Sequence, residues 1–363
     1  MTKEKFIDRL GKLVEIPTIS QNVEANSKAL GLVEEWADKR CKKLRVTNGN
    51  AEILLIGSGN LLQPKVGFLV HMDVVSAKPE LFKLTHSGNR LLGRGVSDMK
   101  FSIPIGIELL NNVVKENSAN DFTLAITTDE EVGGGEGGKH LADEIKFRPG
   151  VLIVPDGGDG LVLINKSKGV AHVWVESVGR PAHASEPWLG KNALTPLCRL
   201  AVTLLDKYDQ NTQQVNWETT MNIGSFSGGK SVNQVCPEAV LKIDFRFPEK
   251  RSVAELLTEV QNLASQVDPD LQVKLAAAGD PTYTDIESTA VRKLMQASQE
   301  VLGHRLSVDG EFGASDARYW SKYEVPIIMT KPKGGGIHSD EEWIDLDSCM
   351  TFYSLMSRYI SIL

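Results

Sequence analysis

Apolar residues recur along this chain at two periods, and the alternation between them sets the first expectations. Phe6, Leu10, Leu13 and Val14 fall on one face of a helix that Pro17 ends. Similar spacing predicts a second helix from Ser27 to Cys41. Short apolar runs then predict strands from Ala51 to Ile56, Val66 to Val70, Phe122 to Thr127 and Val151 to Val154, with a helix from Ser102 to Val114 among them. Such alternation predicts an α/β fold, a mostly parallel sheet with helices on both faces. From about Lys168 the rhythm changes. A strand (Val170 to Val178), a helix (Asn192 to Tyr208), two strands (Thr220 to Gly224, Glu238 to Phe245), a helix (Val253 to Val267) and a strand (Leu271 to Ala277) follow in turn. That β-α-β-β-α-β order predicts a ferredoxin-like antiparallel sheet with two helices on one face. The chain then returns to helix, strand (Pro326 to Met329) and helix. The expected organisation is a larger domain in two parts, 1–167 and 283–363, interrupted by an inserted domain, 168–282.

The candidate chemistry lies where predicted strands end. The Phe122 to Thr127 run discharges into Asp129, Glu130 and Glu131, followed by Gly133, Gly134 and Gly135. Two such charges about 4 Å apart repel by roughly 4 kcal/mol at an effective dielectric near 20, so a cationic partner is expected. The Val66 to Val70 run delivers His71 and Asp73, whose period-two spacing sends both side chains to the same side. One can ligate a metal while the other orients it. Asp98 follows a glycine-rich turn, Asp156 follows Val154-Pro, and His338 follows Gly334-Gly-Gly-Ile. Imidazole and carboxylate ligands without thiolates suit zinc, cobalt or manganese. Five ligands exceed one tetrahedral site with an open position, and suit two metals sharing a carboxylate. Of Glu130 and Glu131, one can ligate while the other acts on water, which describes a hydrolase. The neighbouring glycines are expected to let the backbone crowd around a metal-binding carboxylate.

Two phosphate-binding spellings compete with this reading. Gly224-Ser-Phe-Ser-Gly-Gly-Lys230-Ser231 satisfies the P-loop pattern, but no helical stretch follows it. Gly133, Gly135 and Gly138 spell a dinucleotide fingerprint, with Asp156 placed for a ribose. A dinucleotide-dependent oxidoreductase is therefore the remote alternative, although the acid triplet would repel a pyrophosphate. The net charge of −7 gives no support to a nucleic-acid or anionic-membrane partner. Cys41, Cys198, Cys236 and Cys349 lack CxxC spacing and read as thiols in a reducing compartment. With no apolar segment of the kind a signal peptide requires, the expected location is cytoplasmic.

The motifs His71-Met-Asp73, Gly93-Arg-Gly-Val-Ser-Asp98, Thr128-Asp-Glu-Glu131, Gly179-Arg-Pro-Ala-His183 and His338-Ser-Asp-Glu-Glu342 occur in an order that resembles the dinuclear-zinc exopeptidases and deacylases. That family includes carboxypeptidase G, acetylornithine deacetylase, succinyl-diaminopimelate desuccinylase, aminoacylase and bacterial dipeptidases. The resemblance covers nearly the whole chain. It implies that His71, Asp98 and Asp156 hold one of two zinc ions per subunit, and that Asp98, Glu131 and His338 hold the other. It makes Glu130 the general base, Asp73 the partner of His71, and Asn233 and Arg246 substrate contacts. It further implies a cis peptide between Asp98 and Met99. The inserted domain is implied to be a lid and dimerisation domain, through which a homodimer lends His183 to the partner's site as an oxyanion donor. The implied substrate is a small peptide or N-acyl amino acid. Aspartate rather than glutamate at position 156 favours a di- or aminopeptidase, with a deacylase as the alternative. His86, His140, His172 and His304 match no family motif.

Overall fold

The computed structural model describes residues 1–212 and 215–363, and the chain divides into two compact units. The first comprises residues 1–166, 283–311 and 315–363; the second comprises residues 167–282 and 312–314.

The first unit is built on a six-stranded sheet in the order Lys42–Asn48, Ala51–Gly57, Phe122–Thr127, Val66–His71, Val151–Ile153, Ile327–Ile328. The last four strands are mutually parallel, and the first two form an antiparallel edge. The central strands are buried along their whole length, which is why they read as continuous apolar runs. Their alternate residues feed two cores. Leu54, Ile56, Phe68, Val70, Leu124 and Ile126 share one with the helices Lys3–Val14, Val23–Trp36, Ser102–Lys115, Thr289–Leu302 and Leu346–Ile362. Ile53, Leu55, Leu69 and Ala125 share the other with the short helix Gly138–Asp143 and with Trp320.

Two local expectations are corrected. The second helix runs over Val23–Trp36, because the Asn22 side chain accepts the Ala25 N–H and sets an earlier start. It stops sooner because Asp38 holds the N–H and guanidinium of Arg40 and forms a turn. The strand Lys42–Asn48 has no buried face, and so carries no apolar run to read. Because Val66–His71, Phe122–Thr127 and Val151–Ile153 are parallel, the residues after all three emerge along one edge of the sheet, where ligands of open α/β sheets collect.

The second unit is an antiparallel sheet in the order Thr220–Gly228, Glu238–Phe247, Gly169–Val178, Gln272–Gly279. Val173, Val175, Leu241, Ile243 and Phe245 pack against Leu197, Leu200 and Leu204 of the helix Leu194–Thr212, and against Leu256 and Val260 of Val253–Val267. A capping box between Ser252 and Glu255 starts the latter helix. At the unit's two ends the buried hydroxyls of Ser167 and Thr282 lie 2.7 Å apart. Among the described residues, no helix is long and apolar enough to cross a membrane.

Candidate metal centre

The parallel edge gathers the five expected ligands. His71 Nε2 lies 3.1 Å from Asp98 Oδ1, while His338 Nε2 lies 3.3 Å from Asp98 Oδ2 and 3.0 Å from Glu131 Oε2. Ligand atoms of His71, Asp98 and Asp156 all fall within 4.8 Å of one another, as do those of Asp98, Glu131 and His338. Asp98 is common to both groups, with each oxygen turned to a different imidazole. The peptide between Asp98 and Met99 is cis. Gly336 and His338 both adopt positive φ, 66° and 63°, in the turn that aims His338.

The electrostatics of this cluster call for cations. Burial pushes Asp156 up to about 7, and the Asp98 charge adds to the shift. Burial, then the charge of Asp156, holds Glu130 well above the usual glutamate range. Burial works against a charged His71, yet hydrogen bonds to Asp73 and Asp98 hold its pKa well above the usual imidazole range. A donor set of two imidazoles and three carboxylates, packed closely enough to disturb one another's ionisation, fits divalent cations that accept nitrogen and oxygen ligands.

Asp73 does more than orient an imidazole. Its backbone carbonyl is 3.0 Å and its carboxylate 3.5 Å from His71 Nδ1. The same carboxylate accepts the N–H groups of Glu130 and Glu131, each at 3.1 Å, and the Ser20 hydroxyl at 2.7 Å. One buried acid thereby fixes the histidine and the glutamate pair together.

Glu342, 2% exposed, was read only as the end of the His338 motif. Its carboxylate takes Arg94 Nη1 at 2.7 Å, the N–H groups of Gly95 and Ser97 at 2.9 Å, and the Asp98 N–H at 3.1 Å. It pins the turn that carries the shared Asp98. Lys100, fully buried, donates to the carbonyls of Leu13 and Ile16, and burial pushes its pKa down to about 7.

The glycines after Glu131 serve a different acid from the one expected. A Cβ at Gly137 would collide with Asp129, and one at Gly134 or Gly138 with Asp316; neither acid belongs to the ligand groups. Asp129 Oδ2 accepts the N–H groups of Glu136 and Gly137, both at 2.9 Å. The amides that a pyrophosphate would need are thus occupied by the chain's own carboxylate. The P-loop spelling also lacks its context, since its first half lies in the strand Thr220–Gly228 and no helix follows.

The other three expected site residues belong to the second unit, and they do not cluster. His183 bridges Gln234, and the Ala184 N–H donates to the Asn233 carbonyl at 3.0 Å, so His183 and Asn233 lie side by side. His183 Nδ1 accepts the Ser185 N–H at 3.2 Å and lies 2.7 Å from the Ser185 hydroxyl. Arg246 stands near the far end of the Glu238–Phe247 strand. Its Nε and Nη2 are 2.9 and 3.2 Å from the two oxygens of Asp244, and it lines a cavity of about 660 Å³ with Asn222, Lys168 and Phe312.

The chain is similar to several known proteins. Acetylornithine deacetylase of Buchnera aphidicola subsp. Acyrthosiphon pisum (strain 5A) is 26% identical over 258 residues, 66% of this chain and 67% of that protein. Succinyl-diaminopimelate desuccinylase of Paracidovorax citrulli is 26% identical over 335 residues, 87% of this chain and 85% of its own. The crystal structure of aminopeptidase PepT from Bacillus cereus matches with a TM-score of 0.80 at 18% identity, covering 99% of this chain and 98% of that one. A dinuclear metal binding peptidase of the M20 family from Bacillus subtilis matches with a TM-score of 0.72 at 13% identity, over 99% of this chain and 98% of its own. Peptidase family M20/M25/M40 matches residues 67–361, a span that takes in every ligand named above, and the chain belongs to that family.

Proposed function

We propose that the protein hydrolyses the amide bond of a small peptide or N-acyl amino acid at a centre of two divalent cations. His71, Asp98 and Asp156 would hold one, and Asp98, Glu131 and His338 the other. The observation that carries this reading is Asp98, whose two oxygens face two different histidines at 3.1 and 3.3 Å. Zinc suits the donor set, with cobalt and manganese as alternatives. When bound, such cations polarise the scissile carbonyl and make water a nucleophile near neutral pH.

The chain's own residues do the rest. Glu130, held by Asp73 through its N–H, accepts the proton of the attacking water and returns it to the leaving nitrogen. The His183 imidazole is available to a developing oxyanion. Arg246, set in its plane by Asp244, suits a substrate carboxylate.

The second unit bears on how these groups meet one substrate. His183 lies five residues past Val178, which pairs with Glu238, and Arg246 lies eight residues along the strand from Glu238. At about 3.4 Å per residue the two ends are roughly 27 Å apart, too far for one dipeptide to touch both within one subunit. A homodimer through this unit, in which His183 and Asn233 act on the partner's substrate, resolves the separation. The short Asp156 side chain leaves room for a free α-amine and favours a di- or aminopeptidase, with a deacylase as the second reading. A cytoplasmic location goes with the unpaired cysteines.

The test is elemental analysis joined to a substrate screen. Two divalent ions per subunit are expected, with hydrolysis of free dipeptides or of N-acetyl or N-succinyl amino acids. One ion per subunit, or full activity after exhaustive chelation, overturns the reading.

A further inference from the structure

Glu130 and Glu131 lie in a lone 3₁₀ turn, Glu130–Val132, with Gly133, Gly134 and Gly135 directly after it. Such a turn has poor hydrogen-bond geometry and glycines add backbone freedom, so its position must be fixed from outside. Asp73 supplies one anchor through the N–H groups of both glutamates. The other end depends on Gly133. Its N–H donates to the Glu130 carbonyl at 2.8 Å, and its φ of 104° is one that a side chain would strain. The Gly133 carbonyl accepts two donors, Arg318 Nη2 at 2.7 Å and the Tyr319 hydroxyl at 2.6 Å. Arg318 Nη2 also donates to that hydroxyl at 3.1 Å, so the three groups close on one another.

Arg318 and Tyr319 are themselves held. They belong to the 3₁₀ segment Asp316–Tyr323, whose start is set by the Ser315 hydroxyl accepting the Ala317 N–H. Trp320, next in the chain, is fully buried and donates from Nε1 to the Phe147 carbonyl at 2.8 Å. Arg318 differs from Arg246, which lines an open cavity. The Nε of Arg318 is buried with no hydrogen-bond partner among the described residues, and its Nη2 is committed to Gly133 and Tyr319. Burial works against its charge, yet Asp316, Tyr319 and Glu130 favour that charge and hold its pKa above the ordinary arginine value. A cation that answers Glu130 through space and grips its turn through a carbonyl acts on the base, not on a substrate.

We propose that Arg318 and Tyr319 are positioning residues of the reaction, which fix the turn bearing Glu130 by holding the Gly133 carbonyl and touch no substrate atom themselves. The proposal rests on the amide-hydrolase reading and adds to it the second anchor of the general base. Glu130 is then held at both of its peptide groups, by Asp73 at the N–H and through Gly133 at the carbonyl. A base that takes a proton from water and delivers it to the leaving nitrogen must keep its place through both transfers, and a small displacement costs rate in each.

The experiment uses the zinc-loaded enzyme with L-alanyl-L-alanine or N-acetyl-L-alanine, whichever the wild type cleaves faster. Arg318→Met is expected to lower kcat by about tenfold or more and to change KM by less than about twofold, the pattern of a displaced catalytic group. Two ions per subunit stay bound. Tyr319→Phe lowers kcat by about two- to tenfold, the worth of one neutral hydrogen bond. In a Glu130→Gln background Arg318→Met costs less than about twofold, because a residue that acts through the base then has nothing left to position. Amide hydrogen exchange reads the turn without turnover: residues 130–134 exchange faster in both variants, while the amides of the second unit keep their rates. An unchanged kcat overturns the proposal, and with a raised KM it places Arg318 on the substrate. Loss of an ion, a full cost in the Glu130→Gln background, or unaltered exchange at the turn overturns it as well. Should Arg318→Met fail to fold, Tyr319→Phe decides by the same readings. If no amide is cleaved, the hydrolase reading fails, and exchange at residues 130–134 still decides whether the pair fixes the turn.

Discussion

In the first unit Asp73, Asp129, Asp316 and Glu342 are all 5% exposed or less. In the second, every ion pair among the described residues keeps one partner at least 28% exposed, from His172–Asp244 to Arg251–Glu259. Exposed pairs contribute little, so the second unit is held by its apolar core and is indifferent to what its charges meet. The edge of the first unit is a polar interior, where acids repel one another and backbone N–H groups and arginines hold them in place. Cations bound among the clustered acids of the first unit would add to its stability, whereas the second unit has an apolar core and exposed ion pairs.

The largest expected effect separates charge from ligation within the buried cluster. Glu130→Gln should cut turnover by about 100-fold or more while retaining both ions, the usual worth of a positioned base. Loss of metal in that variant would exchange the roles of Glu130 and Glu131. Mixing His183→Ala with Glu130→Ala subunits asks whether the second unit acts across a dimer. Each parent should be nearly inactive, and activity should return in differentially tagged mixed dimers; mixed dimers as inactive as the parents would place His183 in its own subunit's site.

A smaller effect tests whether the second unit is independent. Leu241 is fully buried in the second core, so Leu241→Ala should cost about 2 to 5 kcal/mol there. Denaturation followed with and without chelator should show that loss unchanged by cations; a loss that depends on zinc would join the two regions energetically.

The smallest effect is on pH. Burial raises Asp156 and Asp316 to about 7, and also raises Glu130 and Glu131. His338 is raised chiefly by its bond to Asp98, and His71 is raised by its acids against burial. A raised folded pKa means that the folded state binds more protons than the unfolded one, whether the group is an acid or an imidazole. Stability of the chelated protein should therefore fall as pH rises from 5 to 7. Lys100, depressed to about 7, is charged at pH 5 and half neutral at pH 7, so it opposes the fall only near the top of that window. A melting temperature that rises over the same interval would contradict the linkage.

Much of this was legible in the sequence because the ligands sit at strand ends and strands announce themselves by apolar runs. His71, Asp98, Glu131, Asp156 and His338 all lie within a few residues of a run or a glycine turn. What escaped were partners joined by the fold alone. Nothing near Glu342 in the chain reveals that its carboxylate serves Asp98, 244 residues away. Ser20, which steadies Asp73, is equally silent. Asp73 was assigned to His71 by its spacing, but its grip on Glu130 and Glu131 depends on two strands being neighbours. The resemblance groups Arg246 and Asn233 as substrate contacts, and only the strand register separates them.

The hydrogen bond between Ser167 and Thr282 joins the places where the chain enters and leaves the second unit. An insertion whose ends already touch can be lengthened, shortened or exchanged without moving the residues on either side, because the host chain needs only a short connection to close the break. The metal ligands all lie outside residues 167–282. This segment can then be treated as a replaceable cassette, varied or exchanged while the candidate ligands stay fixed.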